Sequence, residues 1–470
     1  MPRTRAGAER ETEQVGMDWR GYDASGIEQL GRAGHPDIVP AEAAWRRRWV
    51  ESLSLQAVVY GLPAALQYAQ MCVDALAPGA TPGIAKFRHE RALAGPGFSA
   101  FRAPNVDTLY SSAWLDLRGQ AVELRTPDFG DRYFTVQLVD AYSNALNISN
   151  RTVGSASARY WLVPAQWAET APEGTTLVRV PTAVTWLLMR IQVIGGDVST
   201  VHELQNAVTI APAKGARNAL GPLVDPQSVE EDWQAYFRAL DAAIRLNMYP
   251  REEHAHVHQF RALGLLGREQ WDPGALDPVT ADGMAAGFEA AMAMLKSARR
   301  QLGADTGTRW TRVLDKGAHG HNFLARAVMN HVGLGANVTE ENASFNTHVD
   351  AEGNQLGGRH GDYSLTFDVP PPNGAFWSVT LYHVETGRVF DNPLGRHCIG
   401  SANLESAGPA GSVRLVIARS DPKVPNWLPC PDDDFYLILR IYSPGDAVPR
   451  GDWLPTPVRR MAGAASRTCQ

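Results

Sequence analysis

Thr108-Leu109-Tyr110-Ser111-Ser112-Ala113-Trp114-Leu115-Asp116-Leu117 is the stretch at which the apolar pattern of this chain changes period. Upstream, Trp49, Leu53, Leu55, Val58, Val59, Leu62 and Leu66 recur every three to four residues, so Ala43 to about Leu76 reads as helix. Gly61-Leu62-Pro63 should break or kink that helix, because proline removes a backbone donor and crowds the preceding turn. From Thr108 onward the period is two. Thr108 to Leu117, Ala121 to Arg125, Arg132 to Asp140, Tyr160 to Val163, Thr176 to Val180 and Thr185 to Val193 read as strands, separated by turn clusters such as Pro127 to Asp131. Strands at this spacing predict two packed sheets, as a sandwich or barrel.

Beyond them the helical period returns. Glu230 to Asn247 carries Trp233, Tyr236, Phe237, Leu240 and Ile244 on one face; Gly283 to Leu302 and His321 to His331 read as further helices. The last strands are expected at Tyr363 to Phe367, Phe376 to Val384, Val413 to Ala418 and Asp434 to Tyr442. In the last of these, Phe435, Leu437, Leu439 and Ile441 alternate with Tyr436, Ile438, Arg440 and Tyr442. The expected fold is therefore α+β and β-rich: two antiparallel β-sandwich-like modules joined by a helical middle. The boundaries read as a mobile leader over 1–42, an N-terminal module over 43–215, a helical segment over 216–336 and a C-terminal module over 337–470.

Composition narrows the function classes. A chain of 470 residues that is 44% hydrophobic is long enough for two cores. Its net charge of −6 gives no basic face for nucleic acid. No apolar run is long enough to span a membrane. Met1 to Gln14 carries charges and lacks the apolar core of a signal peptide, so a cytoplasmic protein is expected. Cys72, Cys398, Cys430 and Cys469 form no CxxC pair, which suits reduced thiols. There is no GxSxG elbow and no phosphate loop, so neither a nucleotide nor any other cofactor is expected.

Candidate site residues come from charges placed among apolar neighbours. Asn105, Asp107 and Tyr110 lie where a loop enters a strand. Arg132 and Asp140 share parity with Phe134, Val136 and Leu138, which costs free energy unless the charges are paired or face a cavity. One reading is an Arg–Asp pair tying strands together. The other is a polar pocket with Asp107 or Asp140 as acid/base, Tyr110 and Arg132 stabilising charge, and Asn105, Gln137 and Arg151 binding substrate. Arg190, at the end of the run Trp186 to Met189, reads as an interdomain tie or a substrate clamp. Trp377, Asn392 and Arg396 are the C-terminal candidates for binding; Arg440 and Tyr442 are expected to support the loop Asn426 to Pro429. His254 and His258, at i,i+4 on a helix, are the leading pattern for a divalent metal, with His319 and His321, and Asp432 to Asp434 for calcium, as weaker ones.

Motifs in order then resemble a known pair of families. Asn105 to Leu117, Asp131-Arg132-Tyr133-Phe134, Gln137, Asp140, Asn150 to Gly154, Pro181-Thr182, Trp186 and Arg190 resemble the domain-of-unknown-function family 1254. Phe376 to Tyr382, Asp391-Asn392-Pro393, Arg396, Ile399-Gly400, Asn426 to Pro429 and Leu439 to Pro444 resemble family 1214. The chain departs from these relatives at His319 to Phe323 and at His254 to His258. The resemblance implies β-rich domains in this order, joined through helices, and supplies no reaction. The expected function is a cofactor-independent enzyme acting on a small organic molecule by acid/base chemistry, as a lyase, isomerase or hydrolase. The alternatives are a non-catalytic binder of a small molecule or carbohydrate, and a metal-dependent enzyme using the histidines. The expected partner is a small-molecule ligand, with no nucleic acid and no membrane; homo-oligomers are compatible with the sequence.

Overall fold

The structure is a computed structural model that describes residues 38–98, 102–211 and 222–461, apart from the side chain of Ala410. The expected leader lies mostly outside the described residues. No helix among them is long and apolar enough to cross a membrane.

The N-terminal module contains β1 (Arg88–His89), β2 (Thr108–Asp116), β3 (Val122–Thr126), β4 (Phe134–Val139), β5 (Ala145–Ser149), β6 (Ala158–Pro164), β7 (Thr176–Val180), β8 (Val184–Gln192) and β9 (Thr209–Ile210). They form a five-stranded sheet in the order β1-β2-β8-β4-β5 and a four-stranded sheet in the order β7-β6-β3-β9. The pairing is antiparallel apart from β6 with β7, which run parallel. Leu109, Ala113, Leu115, Leu187, Met189 and Val136 of the larger sheet meet Val122, Leu124 and Leu162 of the smaller one in a common core. The alternation of β2 and β8 therefore sends one residue set into the sandwich and leaves the other on the outer face.

That outer face is covered by helices. The long helix α1 (Ala43–Met71) has as its main helical neighbours α3 (Trp233–Asn247), α4 (Pro278–Ala298) and α5 (Phe323–Val332), whereas the helix Val198–Ala207 (α2) contacts β8. Tyr110, Trp114, Trp186 and Leu188 of the sheet join this helical core. At Gly287, an added Cβ would lie 2.6 Å from Ser54 Cβ, so glycine is what lets α4 lie close against α1. The expected break at Pro63 does not occur: α1 runs through it. Side-chain donors reach the carbonyls of the turn before it. The Tyr236 hydroxyl donates to Ala57 O and Val58 O at 3.1 and 3.0 Å, and Arg326 Nη2 to Tyr60 O at 3.2 Å. Packing on all sides outweighs the cost of the proline.

The C-terminal module contains β10 (Ala304–Asp305), β11 (Thr311–Arg312), β12 (Asn342–Thr347), β13 (Tyr363–Phe367), β14 (Trp377–His383), β15 (Cys398–Gly400), β16 (Val413–Ala418), β17 (Trp427–Pro429), β18 (Phe435–Tyr442) and β19 (Arg459–Arg460). A six-stranded sheet, β10-β11-β12-β18-β14-β15, faces a four-stranded one, β17-β16-β13-β19. Phe345, Val379, Leu437, Leu439 and Ile441 meet Leu365, Val413 and Leu415 between them. Here β16 and β17 pair in parallel. The protein is thus a β-rich α+β fold of two sandwiches with helices between. β12, β5 and α2 had no counterpart among the expected elements.

Candidate functional site

Both central strands, β8 and β18, are buried along their whole length, on both faces. One face of each is the sandwich core. On the opposite face of the N-terminal sheet, the register aligns Tyr110, Arg190, Thr135 and Ser149 in one row across β2, β8, β4 and β5. On the corresponding face of the C-terminal sheet, it aligns Ser344, Arg440 and Ser378 across β12, β18 and β14, with Asn342 opposite Tyr442 in the next row. Residues of both rows line one cavity of about 150 Å³, bordered by the end of α5, by the loop 333–337 and by the turn that carries Lys316. Pockets for drug-sized ligands run to roughly 300–1,000 Å³, so this one suits a small molecule.

Four cationic residues line the cavity: Arg102 is exposed, and the other three are buried. Arg190 and Arg440 are each 9% exposed and Lys316 is 5% exposed, and none of the three forms an ion pair among the described residues. Arg190 Nη1 donates to Gln137 Oε1 at 2.5 Å and Nη2 to Gly335 O at 3.0 Å, with the guanidinium 5.2 Å from the Tyr110 ring centre. Gln137 Nε2 in turn donates to Ala336 O at 2.8 Å. Arg440 Nη1 donates to the Tyr382 hydroxyl at 2.7 Å and Nη2 to Ala103 O at 2.6 Å. Lys316 Nζ donates to Asn342 Oδ1 at 3.0 Å and Ser344 Oγ at 2.9 Å. Burial, together with the positive Arg440 and Arg190, holds the Lys316 amine well below the ordinary lysine range.

Unsatisfied polar atoms accompany these cations. Asn342 Nδ2 is buried without a hydrogen-bond partner. The Tyr133 hydroxyl is pushed well above the ordinary tyrosine range by burial and by the nearby Glu341 carboxylate, and neither it nor Glu341 Oε1 completes a hydrogen bond of normal geometry. Glu341 Oε2 accepts from Ser149 Oγ at 2.8 Å and Arg151 Nε at 3.0 Å, joining the two modules. Buried polar groups left unpaired cost about 1–3 kcal/mol each, and a buried cation with no carboxylate in contact costs more; Asp107 acts on Arg440, and Glu340 on Lys316, only from beyond ion-pair contact.

The structure divides the sequence candidates. Asn105, Tyr110 and Arg190 line the cavity, with Gln137 directly behind Arg190. Arg151 stands at the module junction on Glu341. Asp107 is half-buried as a residue and its carboxylate turns toward the C-terminal module: Oδ2 accepts from Ser378 Oγ at 2.6 Å and Oδ1 from Cys398 Sγ at 3.4 Å. Burial pushes its ionisation up. It lies behind the cavity lining.

Other candidates stand elsewhere. Arg132 and Asp140 do not pair, because β4 spans only Phe134–Val139 and the chain turns at both ends. Arg132 Nη2 meets Asp197 Oδ2 at 2.7 Å. The Asp140 carboxylate caps its own turn, accepting from Tyr142 N at 2.9 Å, Asn144 N at 2.8 Å and Asn144 Nδ2 at 2.9 Å. Trp377 lies in the C-terminal core. Asn392 Oδ1 accepts from Leu394 N and Arg396 N, and Arg396 reaches Trp427 O and Glu405. The loop Asn426 to Pro429 is held by these contacts and by Asn426, whereas Arg440 and Tyr442 face the N-terminal module. The His254 and His258 rings lie tilted with centres 5.7 Å apart, and His254 Nδ1 meets the Tyr249 hydroxyl at 3.0 Å. Among the described residues, no group of three or more His, Cys, Asp or Glu side chains is placed to hold a metal ion.

Comparison with known proteins bears on the whole arrangement. Residues 84–212 match the family described as protein of unknown function DUF1254, and residues 341–446 match DUF1214. Arg190 and Arg440 fall inside these segments, and Lys316 falls between them. No curated protein gives a significant match. The crystal structure of the VPA0106 protein from Vibrio parahaemolyticus superposes with a TM-score of 0.67 at 19% identity, covering 88% of this chain and 100% of that one, which shows a shared fold. A crystal structure of an uncharacterised protein from Burkholderia cenocepacia gives a TM-score of 0.40 at 15% identity, covering 92% of each chain. The chain carries the two modules in the order the motifs indicate, and it belongs to the paired DUF1254–DUF1214 family.

Proposed function

We propose that the cavity between the modules is the catalytic site of an enzyme that works on a small carboxylate-bearing molecule by acid/base chemistry of its own side chains. The observation that carries this reading is the convergence of Arg190, Arg440 and Lys316 on one cavity, all at least nine-tenths buried, without an ion pair among the described residues. An anion there relieves like-charge repulsion and satisfies the Asn342 amide. Guanidinium groups suit planar carboxylates. An amine whose proton affinity is lowered by burial and by two arginines is suited to act as a base, and the arginines stabilise negative charge that develops on the substrate. In this reading Lys316 takes the acid/base role first considered for Asp107 and Asp140, and Tyr110 supplies a hydroxyl. Cys72, Cys398 and Cys430 are free and buried, which suits a reducing cytoplasm.

Calorimetric titration of the full chain with a panel of short carboxylates, followed by product analysis, tests the reading. Arg440→Met and Arg190→Met should each weaken binding by about 10-fold or more, the worth of a charge-assisted hydrogen bond. A panel that neither binds nor raises the melting temperature would overturn the proposal. Binding without product at any protein concentration would leave a non-catalytic binder.

A further inference from the structure

Lysine is rare in this chain. Lys86, Lys214, Lys296, Lys316 and Lys423 are its only lysines among 44 basic residues, so arginine serves nearly every cationic role. Of the four described lysines, Lys86, Lys296 and Lys423 are exposed, and Lys316 alone is buried. A counter-charge at that position needs no lysine. An amine that must lose its proton and attack does, because a guanidinium stays protonated and is no nucleophile.

We propose that Lys316 forms an imine with its substrate and that the substrate is a short 2-oxo acid. The inference rests on the carboxylate-binding reading of the same cavity. Arg190 and Arg440 would hold the carboxylate, and the carbonyl carbon next to it would face the amine. Lys316 Nζ is held by two neutral acceptors, Asn342 Oδ1 and Ser344 Oγ, and by no carboxylate among the described residues. No carboxylate in contact therefore holds it as an ammonium ion. Burial and the two arginines lower the proton affinity of the amine, which favours the free base that attack requires.

In the step itself, the amine lone pair forms a C–N bond and the carbonyl π electrons move to oxygen. The resulting carbinolamine transfers a proton from nitrogen, takes one further proton from the medium through a cavity hydroxyl such as that of Tyr110 or Tyr133, and expels its oxygen as water. A protonated imine remains, one positive charge balancing the proton consumed. Electrons from an adjacent C–H or C–C bond can then flow into it, and hydrolysis by water restores the amine and releases product.

The test is reductive trapping. The full chain is incubated with pyruvate, and separately with 2-oxoglutarate, in the presence of sodium cyanoborohydride, and peptides are mapped by mass. The expected result is one reduced adduct on Lys316, formed in preference to any on Lys86, Lys296 or Lys423 and lost in Lys316→Arg. Should that variant fail to fold, the wild-type map still decides. Binding of propionate or pyruvate by calorimetry without an adduct on Lys316 would overturn the imine and leave the carboxylate site standing. Absence of both binding and adduct would overturn both.

Discussion

Replacing Lys316 by Met tests the state of the amine directly, without knowledge of the substrate. In the folded chain, burial and two neighbouring guanidinium groups keep Lys316 well below the ordinary range. In the unfolded chain it titrates near 10.4. Between those values the unfolded state holds one proton more, so the free energy of unfolding rises with pH, by up to about 1.4 kcal/mol per pH unit. This contribution is complete above the unfolded value and is lost as pH falls toward the folded one. Methionine carries no proton in either state and has similar volume. The stability difference, wild type minus Lys316→Met, should therefore grow with pH between about pH 8 and about pH 10, by up to about 1.4 kcal/mol per unit. Its absolute value follows from two neutral hydrogen bonds, to Asn342 and Ser344, worth about 1 kcal/mol each. Wild type should thus lead by about 2 kcal/mol at the alkaline end and lose that lead as the pH falls. Urea unfolding followed by tryptophan fluorescence, with 13 tryptophans reporting, gives the difference at each pH. All other titrations are common to the two proteins and cancel. A difference that stays flat across that range would mean that Lys316 is protonated in the fold, and the argument for a neutral amine would fail.

Gly335→Ala probes the wall of the same cavity. Gly335 has φ +75°, and an added Cβ would lie 2.9 Å from Leu188 Cδ2 and Trp186 Cζ3. Left-handed strain of about 1–2 kcal/mol and overpacking of about 1–3 kcal/mol predict a loss of about 2–4 kcal/mol in urea unfolding, with weaker carboxylate binding because Gly335 O positions Arg190. Asp140→Ala should separate scaffold from site: it unpairs three donors of the Tyr142–Asn144 turn and should cost about 2–4 kcal/mol. Ligand affinity, measured by calorimetry, should be unchanged; a fall in affinity at constant stability would place Asp140 in the site.

Elements whose structure follows from local pattern were legible in the sequence. Thr176–Val180, Tyr363–Phe367 and Val413–Ala418 have the expected bounds, and Phe435–Tyr442 differs by one residue, because period-two alternation and the flanking turns are properties of neighbouring residues. What the sequence hid depends on tertiary contacts. Asn342–Thr347 reads as polar, since Asn342, Ser344 and Asn346 occupy the face turned to the other module, and only Phe345 and Ala343 join the core side. The helix through Pro63 survives on donors from Tyr236 and Arg326, residues more than 170 positions away. No window along the chain contains that information.

The site shows the same division more sharply. Parity alone puts Tyr110 with Trp114, and Arg190 with Trp186 and Leu188, but the row that joins Tyr110 to Arg190 to Thr135 exists only once β8 is inserted between β2 and β4. The reading that paired Arg132 with Asp140 failed for a related reason: eight residues of correct parity do not share a face when the strand holds six of them and the ends turn away. Lys316 and Glu341 lie outside long periodic segments, so no pattern marked them. A signal was nevertheless present. Arg190 and Arg440 each sit within strands that are otherwise almost wholly apolar, on the face opposite the core. A solvent-facing strand would carry several polar residues on that face. A single arginine among Trp, Leu, Tyr and Ile requires that the face itself be buried by something else, with a cavity or a counter-charge at the arginine. Two such strands in one chain, one in each module, therefore imply that the modules cover each other and that the two cations meet at the seam, which is the arrangement around Arg190 and Arg440.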